Sequence, residues 1–269
     1  MCKVTWGGGD TFRQVKSFLN QGKFVCFSGT PCQIEGLKSY LKRDYENLVT
    51  VDVVCRAVPS PLIFRKYVEY QEKMLADHVK TVRFRDKHYG YKYSTMNVIT
   101  DRNKGNYHQG VESDPWLRAF FSNICDRPSC HHCQFRKQYR VSDFTIWDCF
   151  HVGHFSKILD NDKGATRVLV HTEKGRRIFK EIAEEFHYIQ ADPMKIVTGA
   201  KEMRESVLSN PKRDEFFVDA NKMDGVQLFQ KYFPNTIKVR AEHWFRLTCN
   251  RLGIYDKVKK IYMRLKHKY

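Results

Sequence analysis

Three cysteines stand close together in the middle of the chain, at Cys125, Cys130 and Cys133, among arginines and lysines. Their C-x4-C-x2-C spacing is that of plant-type ferredoxins, in which a fourth, distant cysteine completes an iron–sulfur site. A Cys-x-x-Cys pair is also a common half of a zinc site. His131 and His132 lie inside the loop and are interpreted as facing solvent. The spacing alone leaves an iron–sulfur cluster, a zinc ion and purely structural thiols as alternatives.

Two further cysteines, Cys32 and Cys55, offer the missing ligands because of where the predicted strands end. Residues 23–28 are predicted to form a strand, a capped helix begins after Thr30, and residues 47–55 have the continuous apolar pattern of a parallel strand. Such a unit places both carboxyl ends at one edge of the sheet, so the two thiols are expected to be neighbours. The helix N-terminus also favours a thiolate at Cys32. The alternative is that both are small buried side chains.

The remaining pattern predicts an α/β fold, with a mixed sheet, a parallel strand–helix–strand unit near the N-terminus and a helical C-terminal extension. We expect residues 1–191 to form the main domain and residues 192–269 the basic extension. Further strands are predicted at 79–86, 91–100, 143–147 and 166–172, helices at 60–76, 114–124 and 176–186, and a turn at 173–175. Tyr67, Val68, Met74 and Leu75 are the expected inward positions of the helix at 60–76.

The chain has 269 residues and a net charge of +17, which favours an anionic partner. Nucleic acid, anionic lipid, a phosphorylated cofactor and an acidic protein are the candidates, and a solvated basic surface is the structural alternative. No apolar run of membrane-spanning length and no signal peptide is evident, so we expect a cytoplasmic protein with reduced thiols. The nine cysteines, an odd number, also argue against a disulfide framework.

The last predicted helix, residues 254–269, has apolar residues on one face and lysines on the other. The apolar positions are Ile254, Val258, Ile261 and Leu265. Such a helix either docks on the parent domain or attaches to an anionic membrane surface or an acidic partner.

Five segments occur in an order that resembles one known family. They are FSGTPCQIEGLKSYL, LVTVDVVCRAVPSPLIFRKYVEY, VRFRDKHYGYKY, RPSCHHCQFRKQYRVSDFTIWD and DNDKGATRVLVHTEKGRRIF. Together they resemble the C-terminal region of the beta subunit of coenzyme F-420 hydrogenases and dehydrogenases, from about residue 20 to about residue 220. The later NPKRDEFF resembles bacterial members, many of which are associated with surface-polysaccharide gene neighbourhoods.

The resemblance implies an iron–sulfur flavoprotein oxidoreductase with FAD and a 4Fe–4S cluster. It would pass electrons between a ferredoxin-like one-electron carrier and a two-electron partner. The implied cluster ligands are Cys32, Cys55, Cys130 and Cys133, which leaves Cys125 and Cys149 as spare cysteines.

The resemblance also implies where a flavin would bind. No G-x-G-x-x-G motif is present, so a classical dinucleotide fold is not indicated. The implied contacts are Arg85 and Lys87 in FRDK and Gly164, Thr166 and Arg167 in KGATR. The alternative for Arg83 and Arg85 is the exposed face of a strand.

The chain departs from the family pattern at two places. Cys55-Arg56-Ala57 stands where many members have Cys-His-Gly, and Trp147 occupies a glycine position, where it could crowd a flavin. Many relatives also begin with a ferredoxin module, and this chain starts just after its expected end. We therefore expect either a truncated piece or a separate acidic ferredoxin partner for the basic surface.

Two other functions remain open from the sequence. One is a zinc-stabilised basic module that binds nucleic acid, although the basic residues are dispersed and no nucleic-acid motif is present. The other is a protein of glycan biosynthesis whose redox site has degenerated, an alternative kept open by Arg56 and Trp147. No catalytic acid or base is indicated.

Overall fold

The computed structural model describes residues 10–102, 107–150, 152–258 and 261. These residues form two compact units, each assembled from two segments of the chain. The first unit joins the described residues up to Arg56 with His132–Val207, and the second joins Ala57–His131 with those from Leu208 onward. The predicted main domain at 1–191 and basic extension at 192–269 stay a prediction, and the two units are a different division, because they interleave along the chain. Local patterns cannot reveal such a division, because it depends on contacts between distant segments.

The described helices and strands are numbered in chain order. They are α1 (Thr11–Asn20), β1 (Val25–Gly29), α2 (Pro31–Leu41), β2 (Leu48–Val53), α3 (Pro61–Leu75), β3 (Val79–Asp86), β4 (Thr95–Thr100), β5 (Tyr107–Gln109), α4 (Pro115–Phe121), β6 (Phe144–Asp148), β7 (Thr166–Val170), α5 (Glu173–Ile182), α6 (Pro193–Val197), α7 (Arg213–Lys222), α8 (Gly225–Tyr232) and α9 (Ile237–Arg251).

The first unit contains a four-stranded mixed sheet in the order β1-β2-β6-β7. Strands β1, β2 and β6 are parallel, and β7 runs antiparallel to β6. The predicted α/β class and the parallel strand–helix–strand unit are thus confirmed. Apolar side chains of α1 and α2 cover β1 and β2. The buried members include Val15, Leu19, Val25, Phe27, Ile34, Leu37 and Leu41.

The start of α2 follows from its sequence. Pro31 occupies the first helical position, where its missing N–H costs nothing. The backbone N–H of Thr30 donates to Gln33 Oε1 at 2.7 Å, as the predicted capping box requires. Helix α2 therefore begins immediately after β1, and this short connection fixes the position of Cys32 at the sheet edge.

A buried carboxylate, Asp143, joins three elements of the first unit at the amino end of β6. Its Oδ2 accepts hydrogen bonds from the Thr50 backbone N–H at 2.8 Å and from Thr50 Oγ1 at 2.9 Å. Its Oδ1 accepts from Thr172 Oγ1 at 2.6 Å. Thr172 in turn caps α5 by accepting from the Gly175 N–H at 2.9 Å. The predicted turn at 173–175 is therefore wrong, because the cap makes these residues the first turn of α5.

The second unit packs helices against an antiparallel sheet in the order β3-β4-β5. Its core combines aliphatic residues with the buried aromatic side chains of Tyr67, Trp116, Phe216 and Phe229. In α3 the buried residues are Ile63, Tyr67 and Gln71, which recur every four positions. Met74, expected inward, lies on the same side of the helix seven residues after Tyr67, but it is exposed in the last turn of α3, which ends at Leu75.

The C-terminal region of the second unit is helical, as predicted. Within the predicted helix at 254–269, the structure describes residues up to Val258 and Ile261, so Leu265 lies outside the described residues. Tyr255 is buried there, Val258 packs against it, and Ile254 is exposed. Across the described parts of the chain, we find no helix with the length and apolar character needed to span a bilayer.

Candidate metal centre

Cys32 and Cys55 follow two adjacent parallel strands. Strand β1 ends at Gly29, whose partner across the ladder is Asp52 near the end of β2. Cys32 is the second residue of α2, and Cys55 comes two residues after the end of β2. The prediction that both cysteines follow the same edge of a parallel sheet is confirmed.

The thiol of Cys32 is accessible and lies in the first turn of α2. Thr30 Oγ1 lies 3.1 Å from its Sγ, within hydrogen-bonding distance. The backbone N–H groups of a helix N-terminus favour negative charge, so this position suits a thiolate ligand.

The segment that carries Cys133 is tied to the loop that carries Cys55. The Cys133 N–H donates to Ser206 Oγ at 3.0 Å. Three residues later, Arg136 Nη1 donates to the carbonyl oxygen of Cys55 at 2.9 Å and to that of Glu202 at 2.5 Å. A planar guanidinium can hold several carbonyl groups in fixed directions. Arg136 therefore couples the two cysteine-bearing segments within the first unit.

Two further basic residues extend this connection. Arg140 Nη1 donates to the carbonyl oxygen of Val53 at 3.1 Å and lies 3.3 Å from Asp52 Oδ1. The Arg140 and Asp52 side chains are both almost inaccessible to solvent. Lys137 Nζ lies 3.5 Å from Glu35 Oε1 on α2. Residues 133–140 thus contact the end of β2 and the helix that carries Cys32.

Cys130 belongs to the second unit and lies in a 3-10 helix, Pro128–His132. Its Sγ accepts a hydrogen bond from the Val58 N–H at 3.4 Å. Backbone hydrogen bonds from Arg127 to Val58 and from Cys130 to Arg127 hold this turn. Hydrogen bonds from backbone amides to sulfur help to set the reduction potential of iron–sulfur clusters, so this contact suits a cluster ligand.

The donor set fits an iron–sulfur cluster chemically. None of the described cysteines forms a disulfide, and Cys32, Cys55, Cys130 and Cys133 all remain partly accessible. Among the described residues, however, no three Cys, His, Asp or Glu side chains form a group arranged to hold a metal ion. The four-cysteine ligand set therefore stays a prediction.

Cys125 is buried, unlike these four cysteines. It is buried in the core of the second unit beside Trp116, Ala119 and Ile124. Burial, aided by the Asp126 carboxylate, raises the pKa of its thiol to about 12. A thiol that resists deprotonation is a poor metal ligand. This environment argues against Cys125 as a member of a ferredoxin-like triplet.

Residues 22–196 of the chain match the family model that describes the C terminus of the beta chain of coenzyme F420 hydrogenase/dehydrogenase. The protein belongs to this family. Its membership relates it to the beta subunits of F420 hydrogenases and supports an oxidoreductase-related role. No curated protein matches the chain.

Among solved structures, this F420 hydrogenase/dehydrogenase family member is similar to a chain of the xenon-derivatised F420-reducing [NiFe] hydrogenase complex from Methanosarcina barkeri. The two chains are 17% identical, and the match covers 85% of this chain and 67% of the other, with a TM-score of 0.40.

Three of the predicted flavin contacts in this family member lie near the same edge of the four-stranded sheet. Strand β7 begins at Thr166, opposite Asp148 at the end of β6, and Gly164 precedes it with a positive φ of 104°. Arg167 follows, and its Nη1 donates to the carbonyl oxygen of Ile196 at 2.7 Å. Gly164, Thr166 and Arg167 therefore lie together on one short segment at this edge.

The contacts of Arg167 are those of a structural residue. Its Nε donates to Cys149 Sγ at 3.4 Å, which places the spare Cys149 in a buried internal contact. Its guanidinium also lies over the rings of Trp147 at 6.0 Å and Phe155 at 5.6 Å. These contacts hold the guanidinium against the protein, and the predicted role of Arg167 in a phosphate or ring contact of the flavin stays a prediction.

The other predicted flavin contacts, Arg85 and Lys87, belong to the second unit. Both side chains are exposed, and each lies 5.6 Å from the ring centre of Tyr91. Arg83 is exposed on the same strand, as its structural alternative predicted. The flavin role of Arg85 and Lys87 stays a prediction.

At both departures from the family pattern, the unusual side chain has a structural contact in the first unit. Arg56 forms an ion pair with Glu202 at 3.1 Å, and its carbonyl oxygen also accepts from Arg136. Trp147 packs against a small cluster formed by Val197, Ala200 and Met203. Arg136 contributes most to holding this edge in place. The sequence analysis identified it only as one of the positive charges near the cysteines.

Proposed function

We propose that this protein is an iron–sulfur flavoprotein oxidoreductase that passes electrons between a ferredoxin-like one-electron carrier and a two-electron partner through FAD. The observation that carries the proposal is the attachment of the Cys133 segment to the Cys55 loop through Arg136. It supports convergence of thiols that are far apart in sequence, at the sheet edge where α/β proteins place their ligands.

In this proposal Cys32, Cys55, Cys130 and Cys133 hold a 4Fe–4S cluster. A cluster exchanges single electrons and a flavin exchanges either one or two, so together they connect the two kinds of carrier. The protein contributes position and electrostatics. Arg136 holds the backbone on either side of the site, and its fixed positive charge favours the negatively charged cluster thiolates.

The flavin assignment is less complete than the cluster assignment. Gly164 and Thr166 remain its candidates in the first unit, and Arg85 and Lys87 in the second. Arg167 remains a candidate as well, and its bonds to Cys149 and to the Ile196 carbonyl oxygen would hold this segment in place.

The electron carrier is proposed to be an acidic ferredoxin, met in the cytoplasm where the thiols stay reduced. A net charge of +17 would accelerate encounter with such a partner. High ionic strength should therefore slow electron transfer by screening the attraction.

A second candidate is a protein of glycan biosynthesis whose redox site has degenerated. It is favoured by Trp147, a bulky side chain packed where the family pattern expects glycine. The two candidates differ in flavin content, because only the first requires FAD.

Protein purified without oxygen separates these possibilities. We expect brown material with about four iron and four sulfide atoms per chain, and FAD released on denaturation. Serine at Cys32, Cys55, Cys130 or Cys133 should abolish the cluster absorbance. The matched control is Cys26→Ser, since Cys26 lies half-buried within β1, ahead of the sheet edge.

Colourless protein with one zinc ion per chain would reject the redox proposal. Iron and sulfide without any flavin would favour the second candidate.

A further inference from the structure

Helix α9 places an apolar face toward solvent, whereas its other side contacts the second unit through polar side chains together with Cys249 and Leu247. Ile237, Trp244, Phe245 and Leu252 are 77%, 68%, 51% and 66% exposed. They recur at intervals of seven or eight residues, along one face of the helix and its C-terminal end. A helix that only covers a core turns its apolar residues inward. The outward apolar face of α9 therefore indicates contact with an apolar environment outside the protein.

The polar side of α9 is firmly bound within the second unit. His243 Nδ1 lies 2.8 Å from Oε1 of the buried Glu112, and Arg246 lies 3.8 Å from its other oxygen. Asn250 Nδ2 donates to the carbonyl oxygen of Tyr89 at 3.1 Å. Burying Trp244 and Phe245 instead would require breaking these contacts. The apolar face is therefore held outward by the structure.

Basic residues flank this face. Lys238, Arg240 and Arg251 are all exposed on α9. From Ile237 to the last residue, the sequence has ten Lys or Arg residues against two Asp or Glu residues. Aromatic side chains bordered by cations are the pattern of a helix that lies in the interface of an anionic bilayer.

We propose that α9 is a membrane-surface helix, which inserts Trp244, Phe245 and Leu252 among anionic phospholipids. The cations flanking the apolar face meet the lipid phosphates. A second copy of the chain fits less well, because a two-fold contact through this face would bring the same basic residues together. Attachment would hold the protein at the membrane surface through the apolar face of α9.

Vesicle sedimentation tests the proposal directly. We expect the full chain to sediment with phosphatidylcholine–phosphatidylglycerol vesicles and to remain largely in solution with phosphatidylcholine alone. Trp244→Ser combined with Phe245→Ser, or Arg240→Glu combined with Arg251→Glu, should weaken binding by more than about tenfold. The matched controls are Leu208→Ser, an exposed apolar residue outside α9, and Lys180→Glu on α5.

Tryptophan fluorescence gives a second readout. Emission should shift to shorter wavelength when anionic vesicles are added, and Trp244→Phe should remove this shift while preserving binding. Failure of the full chain to bind anionic vesicles would overturn the proposal. So would undiminished binding by both double variants. If the parent protein is a dimer that does not bind vesicles, and the Trp244→Ser, Phe245→Ser variant is a monomer, this face instead joins two copies of the chain.

Discussion

Arg136 donates a hydrogen bond to the carbonyl oxygen of Cys55 at 2.9 Å, although the two residues are 81 positions apart. The same guanidinium reaches Glu202, so one side chain organises three segments of the first unit. Charged donors to buried carbonyl groups are strong, and their loss leaves those carbonyls without compensation. The position of Cys55 relative to Cys133 therefore depends on this arginine.

Arg136→Ala is expected to lower the free energy of unfolding by about 2 kcal/mol and to reduce the iron bound per chain. Arg136→Lys should recover little, because an ammonium group cannot reproduce the directions of the guanidinium donors. Chemical denaturation and iron analysis measure the two effects.

The control for this prediction is Asp143→Asn, which weakens the same unit at the amino end of β6. It should lower stability while leaving the iron content unchanged. Equal iron loss in both variants would show that Arg136 acts only through general stability.

Cys125 is expected to resist alkylation by iodoacetamide at neutral pH, whereas Cys32 should react rapidly in cluster-free protein. Burial raises the pKa of Cys125 to about 12, so its thiol stays protonated throughout the range in which exposed cysteines ionise. Mass spectrometry of peptides after timed labelling measures both rates.

Cys125→Ala should also keep the cluster, at the cost of about 1 kcal/mol for the lost core contact. Loss of the cluster in this variant, with retention in Cys130→Ser, would favour the ferredoxin-like spacing instead.

We expect the second unit to become less stable as the pH rises through about 6, because Asp114 then loses its proton. Burial raises the pKa of this carboxyl to about 6, despite hydrogen bonds from Leu117, Tyr67 and Tyr107 that favour the charged form. The folded protein therefore binds the proton more tightly than the unfolded chain. Its contribution is fully present below the unfolded pKa of about 4 and is lost as the pH rises from there through about 6.

The test compares unfolding free energies of the parent protein and Asp114→Asn across this range. Their difference should change by about 2 kcal/mol between pH 4 and pH 7. A difference that stays constant with pH would mean that Asp114 ionises normally in the folded protein.

Gly225→Ala is expected to destabilise the second unit by about 2 kcal/mol. Glycine allows the first turn of α8 to approach the backbone of α3, where an added methyl group would collide with the Lys66 carbonyl oxygen and come within 2.9 Å of Tyr70 N. Gly36→Ala on α2 is the matched control, because its methyl group would make ordinary contact with Phe12 at 3.5 Å.

Thermal unfolding distinguishes the two glycines. The Gly36 variant should be as stable as the parent protein or more stable by up to about 1 kcal/mol, since alanine favours helix. If the Gly225 variant is equally stable, α8 can move away from α3 at little cost.

Patterns that act over a few residues predicted much of the first unit. The apolar run at 47–55 and the capping box at Thr30 were sufficient for the parallel unit, because strand burial and helix capping are local. Local reasoning did not predict α1, and it placed a turn at 173–175 because Gly175 resembles a turn residue. In the structure Thr172 caps a helix there by accepting from the Gly175 N–H, a local signal that the turn prediction passed over.

The sequence by itself determined the α/β class, the sheet edge shared by Cys32 and Cys55, and the family. Each of these follows from short patterns or from motifs in a fixed order. Only the tertiary structure decided that Arg136 binds the Cys55 carbonyl, that Cys125 is buried, and that Trp244 faces outward. Those outcomes depend on which distant segments pack together, and packing between distant segments leaves no periodic signal along the chain.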